Sequence, residues 1–456
     1  MKPGPGGRAK LGTSSALASL AAPTTGPSAR RARARQRVWE KVETRARFHT
    51  NREGTKTVEA METNADRACL GLDVHKDTIT ATHLGPGGKT LRTWTVPTTR
   101  RSVLALAKGA APAAPIVLEA STAGKAVAFV LKEAGRELHM AAPNKVALIA
   151  KAPIKTDARD SAALAHLYQA GFLPECYVPT PEIDRLRTLV RARADLGYKM
   201  TRIKNQVHAL VTRNLLDEEM VGISDWFGVG GIRKLVTLPL PEEEKGHLAL
   251  YLQQLTVLAD QEETLHAELA RAAEERADVR LLMTIPGVDY YSALAIVAEI
   301  GDIRRFPTKA QLCSLAGVVP RADNSGAKVS QHRSVKRGDM VLKRFLCIAV
   351  QGMLRSKQDT TIKRFYAKKA KSIGAPKAQV AAARKLACAI WHMLSHNEAY
   401  RDADTELSER KVTKMERTAT SEVALPTARD LESLGERLTG RAVALERLAR
   451  EETHAG

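Results

Sequence analysis

The run Cys69-Leu70-Gly71-Leu72-Asp73-Val74, followed by His75 and Lys76, decides the fold. It is short and β-favouring, and it reads as a strand with a carboxylate near its end. Outward from it, Thr78–Leu84 (TITATHL) and residues 90–96 (TLRTWTV) read as two further strands, with Gly85, Pro86, Gly87 and Gly88 as the hairpin turn between them. Residues 98–108 read as a helix, Ile116–Glu119 as a short buried strand, 124–134 as a helix, 137–141 as a strand and 157–170 as a helix. Ala162, Leu164, Ala165, Leu167 and Tyr168 supply the helical spacing of the last. The order βββαβαβα predicts an α/β domain, a mixed sheet flanked by helices.

Residues 183–216 and 247–276 read as long charged helices, with Leu248, Leu252, Leu255, Leu258, Leu265 and Leu269 at three- and four-residue steps, a hinge or dimerising arm. The expected division is 1–64, a disordered basic extension; 65–180, the α/β domain; 181–278, the arm; 279–400, a mainly helical C-terminal domain; and 401–456, a charged helical tail. The first 60 residues hold 13 basic and 4 acidic residues, rich in Gly, Pro, Ala, Ser and Thr without an apolar period. Met61 precedes the first strand-like run, so this stretch is either upstream of the true start or a basic nucleic-acid arm.

With 456 residues, the chain has length for two or three domains. Its 71 Lys plus Arg against 50 Asp plus Glu, a net +21, favour a polyanionic partner, nucleic acid first. Cys69, Cys176, Cys313, Cys347 and Cys388 stand far apart, which suggests neither a disulfide framework nor a zinc ribbon and fits a reducing cytoplasm. No apolar run of about 18 residues argues for a membrane span. Aromatics at 4% count against base-stacking platforms as the main device.

Asp73 near the end of the first strand and Glu119 at the end of the fourth would share one sheet edge if those strands are neighbours. Asp157 and Asp160, three apart, share one helix face. Four converging carboxylates repel one another unless a hard divalent cation, Mg²⁺ or Mn²⁺, neutralises them, the usual device for attack on a phosphodiester. Each alone has a plainer reading as a turn, loop or cap residue. His75 and Lys76 are either phosphate contacts or polar turn residues. An actin-like sugar kinase would need a Gly- and Thr-rich phosphate loop after the first strand, where Val74, His75, Lys76 and Asp77 stand instead.

Residues 303–385 hold 20 Lys plus Arg and only Asp323, Asp339 and Asp359, a net +17 on a folded region. Ile285-Pro286-Gly287-Val288 before the apolar residues 293–300 reads as half of a helix-hairpin-helix or as an ordinary Pro-Gly turn. Ser325 lies in Asn324-Ser325-Gly326, with Arg321, Lys328, Arg333, Lys336 and Arg337 as candidate nucleic-acid contacts. It is either a turn residue or a nucleophile placed among cations.

Gly-Leu-Asp-Val-His-Lys, Leu-Glu-Ala, Lys-Thr-Asp-Ala-Arg-Asp-Ser, Ile-Pro-Gly-Val, Ala-Gly-Val-Val-Pro and Asn-Ser-Gly, in this order and spacing, resemble a DEDD insertion-sequence transposase of insertion-sequence family one-ten, the bridge-RNA-guided recombinases. The resemblance covers about residues 68–396. It implies a ribonuclease-H-like (RuvC-like) N-terminal domain, an arm that assembles homodimers or homotetramers, and a C-terminal transposase domain. Asp73, Glu119, Asp157 and Asp160 would be the Mg²⁺-binding tetrad (Mn²⁺ as the variant) and Ser325 the nucleophile, acting in a composite site. The implied reaction is DNA cleavage to a phosphoserine, strand exchange and religation, on donor and target DNA paired with an element-encoded bridge RNA, in the bacterial cytoplasm at the nucleoid. The competing expectations are a RuvC-like junction nuclease, in which water attacks, and a non-catalytic nucleic-acid-binding remnant.

Overall fold

The computed structural model describes residues 47–50, 56–59, 64–109, 113–149, 156–319, 323–325, 328–330 and 338–454. The chain divides into two compact units, Met1–Val178 and Pro179–Gly456.

In the first unit, β1 (Arg47–Thr50) and β2 (Lys56–Glu59) pair antiparallel with Phe48 opposite Val58. These residues fall within the stretch whose overall composition reads as disordered; locally, Phe48, Thr50, Thr57 and Val58 favour strand. The rest of that stretch lies outside the described residues. There follow β3 (Cys69–Val74), β4 (Thr78–Leu84), β5 (Thr90–Pro97), α1 (Arg100–Gly109), β6 (Ile116–Glu119), α2 (Thr122–Glu133), β7 (Leu138–Ala141), α3 (Pro143–Ile149) and α4 (Asp157–Gln169). The sheet order is β5-β4-β3-β6-β7; the first three strands are antiparallel, and β3, β6 and β7 run parallel. This mixed five-stranded sheet with flanking helices fits a ribonuclease-H-like DEDD domain. The seven-residue α3 is absent from the sequence-based order.

β3 is buried along its whole length because both of its faces are covered. Leu70, Leu72 and Val74 pack with residues of α1 and α2, such as Leu106 and Leu131, while Cys69 packs with Leu164, Ala165 and Tyr168 of α4. Alternation along a strand puts Gly71 and Asp73 on the α4 side with Cys69. Helix and strand keep step, because four helical residues rise roughly 6 Å and two strand residues about 6.6 Å. Cys69 lies against Ala165, with its thiol 3.6 Å from the Ala165 carbonyl, and Gly71 lies against Ser161. A Cβ on Gly71 would stand 2.0 Å from the Ser161 carbonyl oxygen, so glycine there sets how closely α4 approaches the sheet. On the same layer Ser161 Oγ bonds Thr82 Oγ1 at 2.7 Å.

The second unit contains α5 (Pro181–Arg213), α6 (Val229–Leu235), α7 (Glu242–Glu274), α8 (Ala277–Met283), α9 (Tyr290–Ile300), α10 (Lys309–Leu315), the β8 (Asp323–Ser325) and β9 (Lys328–Ser330) hairpin, α11 (Met340–Arg355), α12 (Thr361–Ile373), α13 (Ala375–His396), α14 (Thr405–Ala419) and α15 (Ala428–His454). Thr180 caps α5, accepting from Ile183 N, and Pro181 opens it. The arm is rooted in the main core: Ile183, Leu186 and Val190 of α5 and Leu269, Ala270 and Ala273 of α7 pack with α9, α11 and α13. Its far end has its own core of Val207, Leu210, Val211, Met220, Leu235, Leu238, Leu240 and Leu248.

α9 is buried at every position but the half-buried Tyr291, and this includes Glu299, whose carboxylate takes a two-bond fork from Arg191 at 2.9 Å and 2.9 Å. The pair ties α5 to the core. Gly287, at φ +80°, lies against the backbone of Gly352 and Met353, where a Cβ would stand 2.4 Å away. Lys411 of α14 donates to the carbonyls of Met283, Ile285 (2.9 Å) and Val288 (3.1 Å), fastening the tail's first helix over this turn; burial pulls its pKa down to about 8. Met415 and Ala419 join the main core, whereas α15 is exposed from its start to Val443.

Candidate metal centre

Asp73 is the fifth residue of β3, and its alternation places it toward α4. At that level α4 begins. Thr156 serves as its N-cap, with its side chain accepting from Arg159 N, so Asp157 is the first helical residue and its carboxylate is released from capping. Asp157 and Asp160 both sit in the first turn, where the helix dipole favours negative charge. The sequence left a cap reading open for Asp157; the structure gives the cap to Thr156.

His75 stands two residues beyond Asp73. Its Nε2 is 3.2 Å from Asp73 Oδ2 and 3.6 Å from Asp157 Oδ1, and one ligand atom from each of the three residues lies within 4.8 Å of the others. Asp73 is buried, while His75 and Asp157 are exposed, so the group opens outward. Burial lifts the Asp73 carboxyl above its ordinary pKa; His75 opposes this, and the charges of Asp160 and Asp157 add to it. Asp160 therefore belongs to the same electrostatic neighbourhood, though neither it nor Glu119 joins the tight group. Glu119 ends β6, the parallel neighbour of β3, one residue past the Leu72–Leu118 pair. Ser121 takes the cap of α2, accepting from Gly124 N at 2.8 Å.

This donor set fits a divalent cation. It offers carboxylate oxygens and one imidazole nitrogen on a water-facing rim, and the like charge around buried Asp73 calls for a positive counter-charge.

Ser325 is the last residue of β8, opposite Lys328 of β9 in an antiparallel ladder. Arg321, Arg333, Lys336 and Arg337 lie outside the described residues. Beyond this hairpin, α12 and the first half of α13 present exposed Arg364, Lys368, Lys369, Lys371, Lys377, Arg384 and Lys385, and residues 361–385 contain no acidic residue. These cations suit a phosphate backbone, with Arg364 paired to Asp359 at 2.7 Å. At the Pro-Gly turn, by contrast, Asp289 accepts from Ser292 N at 2.8 Å, so a carboxylate occupies the N-terminus of α9.

Reading the sequence left His75 undecided and passed over Glu299 and Lys411. The available signal for His75 was its place just beyond the strand end that carries Asp73. Glu299 lay hidden in an apolar run, and only the fold brings Arg191 to it.

Two family models match the chain in order. A DEDD transposase model of IS110 type matches residues 70–215, and the model described as Transposase IS116/IS110/IS902 family matches residues 279–367. The chain is 27% identical over 345 residues, covering 74% of it and 92% of the relative, to the transposase for insertion sequence element IS1111A of Coxiella burnetii. It is 28% identical over 300 residues to a probable family 20 transposase of Pseudomonas aeruginosa, covering 64% and 86%. To the transposase for insertion sequence element IS1328 of Yersinia enterocolitica it is 25% identical over 242 residues, covering 52% and 69%. No helix among the described residues is long and apolar enough to cross a membrane. The segment that carries the carboxylates and the segment that carries the serine thus each match a model of one kind, and the chain belongs to the IS110 family of transposases.

Proposed function

We propose that this transposase moves its element by cleaving DNA to a covalent phosphoserine, exchanging strands and religating them. The supporting observation is the approach of Asp73 on β3 to Asp157 at the start of α4, with Asp160 nearby, inside the segment matched by the DEDD model. Asp73, Glu119, Asp157 and Asp160 hold a divalent metal, Mg²⁺ first and Mn²⁺ as the variant. Bound there, the ion supplies positive charge that neutralises a phosphodiester and its developing transition state.

The remaining work falls to the chain's own residues. Ser325 Oγ bonds to phosphorus as the bond from phosphorus to the leaving DNA oxygen breaks, and the serine proton passes in net to that oxygen, which departs as a hydroxyl; religation reverses the step with a new strand's hydroxyl. Arg321, Lys328, Arg333, Lys336 and Arg337 hold the phosphate charge, and the α12–α13 face adds affinity that falls with salt. An element-encoded bridge RNA selects donor and target, and the protein acts as a homodimer or homotetramer; both assignments rest on the family resemblance.

The test is strand transfer by the purified chain with Mg²⁺, DNA bearing the element's ends and target, and the noncoding RNA beside its gene. The expected result is joined donor–target product that requires the RNA. Cleaved but unjoined DNA would instead identify a junction nuclease, and binding without cleavage at any divalent metal a non-catalytic remnant.

A further inference from the structure

His75 is held in place by more than its side chain. Its N–H donates to the Thr78 carbonyl at 2.9 Å, and its own carbonyl accepts from Thr98 Oγ1 at 3.0 Å, so the start of β4 and the residue after β5 hold the backbone from two sides. The ring stands on the α4 side with the Asp73 carboxylate, as its distances to Asp73 and Asp157 show. The ring's far nitrogen then points at two carboxylates that come from different elements.

Around a small divalent ion with bonds near 2.1 Å, neighbouring ligand atoms stand roughly 3 Å apart and opposite ones about 4.2 Å. The separations of 3.2 Å and 3.6 Å, with all three atoms within 4.8 Å of one another, are close to that requirement. Nε2 thus faces one carboxylate from the strand and one from the helix at once.

We propose that His75 Nε2 is a metal ligand, so that the centre has a mixed nitrogen and oxygen donor set, Asp73–His75–Asp157, rather than carboxylates alone. This rests on the tetrad reading above and deepens it. Mg²⁺ prefers oxygen and water, whereas imidazole adds affinity for transition metals such as Mn²⁺ and Co²⁺. His75 therefore raises the affinity of this centre for Mn²⁺ relative to a centre of oxygen donors alone, while Mg²⁺ still binds through the carboxylates.

The test uses the full chain, stripped of metal and loaded with Mn²⁺, and reads pulsed electron paramagnetic resonance together with binding titrations. The expected spectrum carries a coupling to a directly bound nitrogen that changes character when the protein is labelled with ¹⁵N-histidine. His75→Ala should remove that coupling and weaken Mn²⁺ at least about tenfold, with Mg²⁺ affinity, from competition, changing less than about threefold. Because His75 is exposed, the variant should melt with the wild type, and the isotope label gives an answer without any substitution.

Mn²⁺ binding that depends on Asp73 but shows no nitrogen coupling overturns the assignment of His75 and leaves the carboxylate site standing. Coupling that survives His75→Ala also overturns it. Failure of the wild type to bind Mn²⁺, or binding indifferent to Asp73→Asn, overturns the tetrad reading itself.

Discussion

Asp73→Asn is expected to lower transposition at least about a thousandfold while leaving the fold intact, since a bound metal contributes several kcal/mol to the transition state of phosphoryl chemistry. The substitution keeps size and shape and removes one charge. Asp73 is buried on the strand side of the group, where its charge is disfavoured by burial and by Asp160 and Asp157, so losing that charge relieves the native state rather than straining it. Melting of the variant should match or slightly exceed that of the wild type in chelator, and the stabilisation that Mn²⁺ or Mg²⁺ gives the wild type should vanish. Transposition frequency measured beside thermal melts, with and without metal, checks both halves. An Asp73→Asn protein that is folded and active would remove Asp73 from the centre.

Gly71→Val carries the second large effect, on stability. The Cβ of any residue at 71 would lie 2.0 Å from the Ser161 carbonyl oxygen and 3.0 Å from Ala165 Cβ. The first obstacle is backbone, which no rotamer change relieves, so α4 would have to move away from β3 and open the layer of Cys69, Leu164, Ala165 and Tyr168. Overpacking of flexible cores costs about 1 to 3 kcal/mol, and a backbone clash between a central strand and a helix should exceed that, reaching about 4 kcal/mol or more. Against a typical domain stability of about 5 to 15 kcal/mol, the first unit should melt far lower than in the wild type. Hydrogen exchange should show lost protection in β3 and α4, with α9 and α13 of the second unit unchanged. Wild-type melting in Gly71→Val would mean that α4 does not pack on β3 at this spacing.

Strand ends and helix starts in the first unit were legible because Gly, Pro and β-branched residues punctuate short apolar runs. β3, β4 and β6 run from Cys69, Thr78 and Ile116 as their patterns require. The seven-residue α3 and α6 were not, since two turns give too little periodicity to separate a helix from a loop.

For the site, the i, i+3 spacing of Asp157 and Asp160 was visible, but not that Thr156 would take the cap and free Asp157. Gly71 looked like an ordinary small residue in a strand until Ser161 was set against it. His75 needed both the strand's face and the position of α4, two facts separated by more than eighty residues of chain. Glu299 and Lys411 illustrate the general limit. A charged residue in an apolar run or a tail helix reads as solvated until its partners, Arg191 or three backbone carbonyls, are brought in from far along the chain.

The most direct measurement is the trapping of a protein–DNA adduct. Wild-type protein, RNA, Mg²⁺ and element-end DNA are quenched in denaturant, and the adduct is resolved on a denaturing gel and mapped by mass spectrometry. The account predicts a covalent adduct at Ser325, absent in Ser325→Ala although that variant still binds RNA and DNA, and absent again in Asp73→Asn. An adduct that persists in Ser325→Ala and maps to Ser330, Ser334 or a tyrosine would contradict the nucleophile, and cleavage with no adduct in any variant would contradict the phosphoserine step altogether.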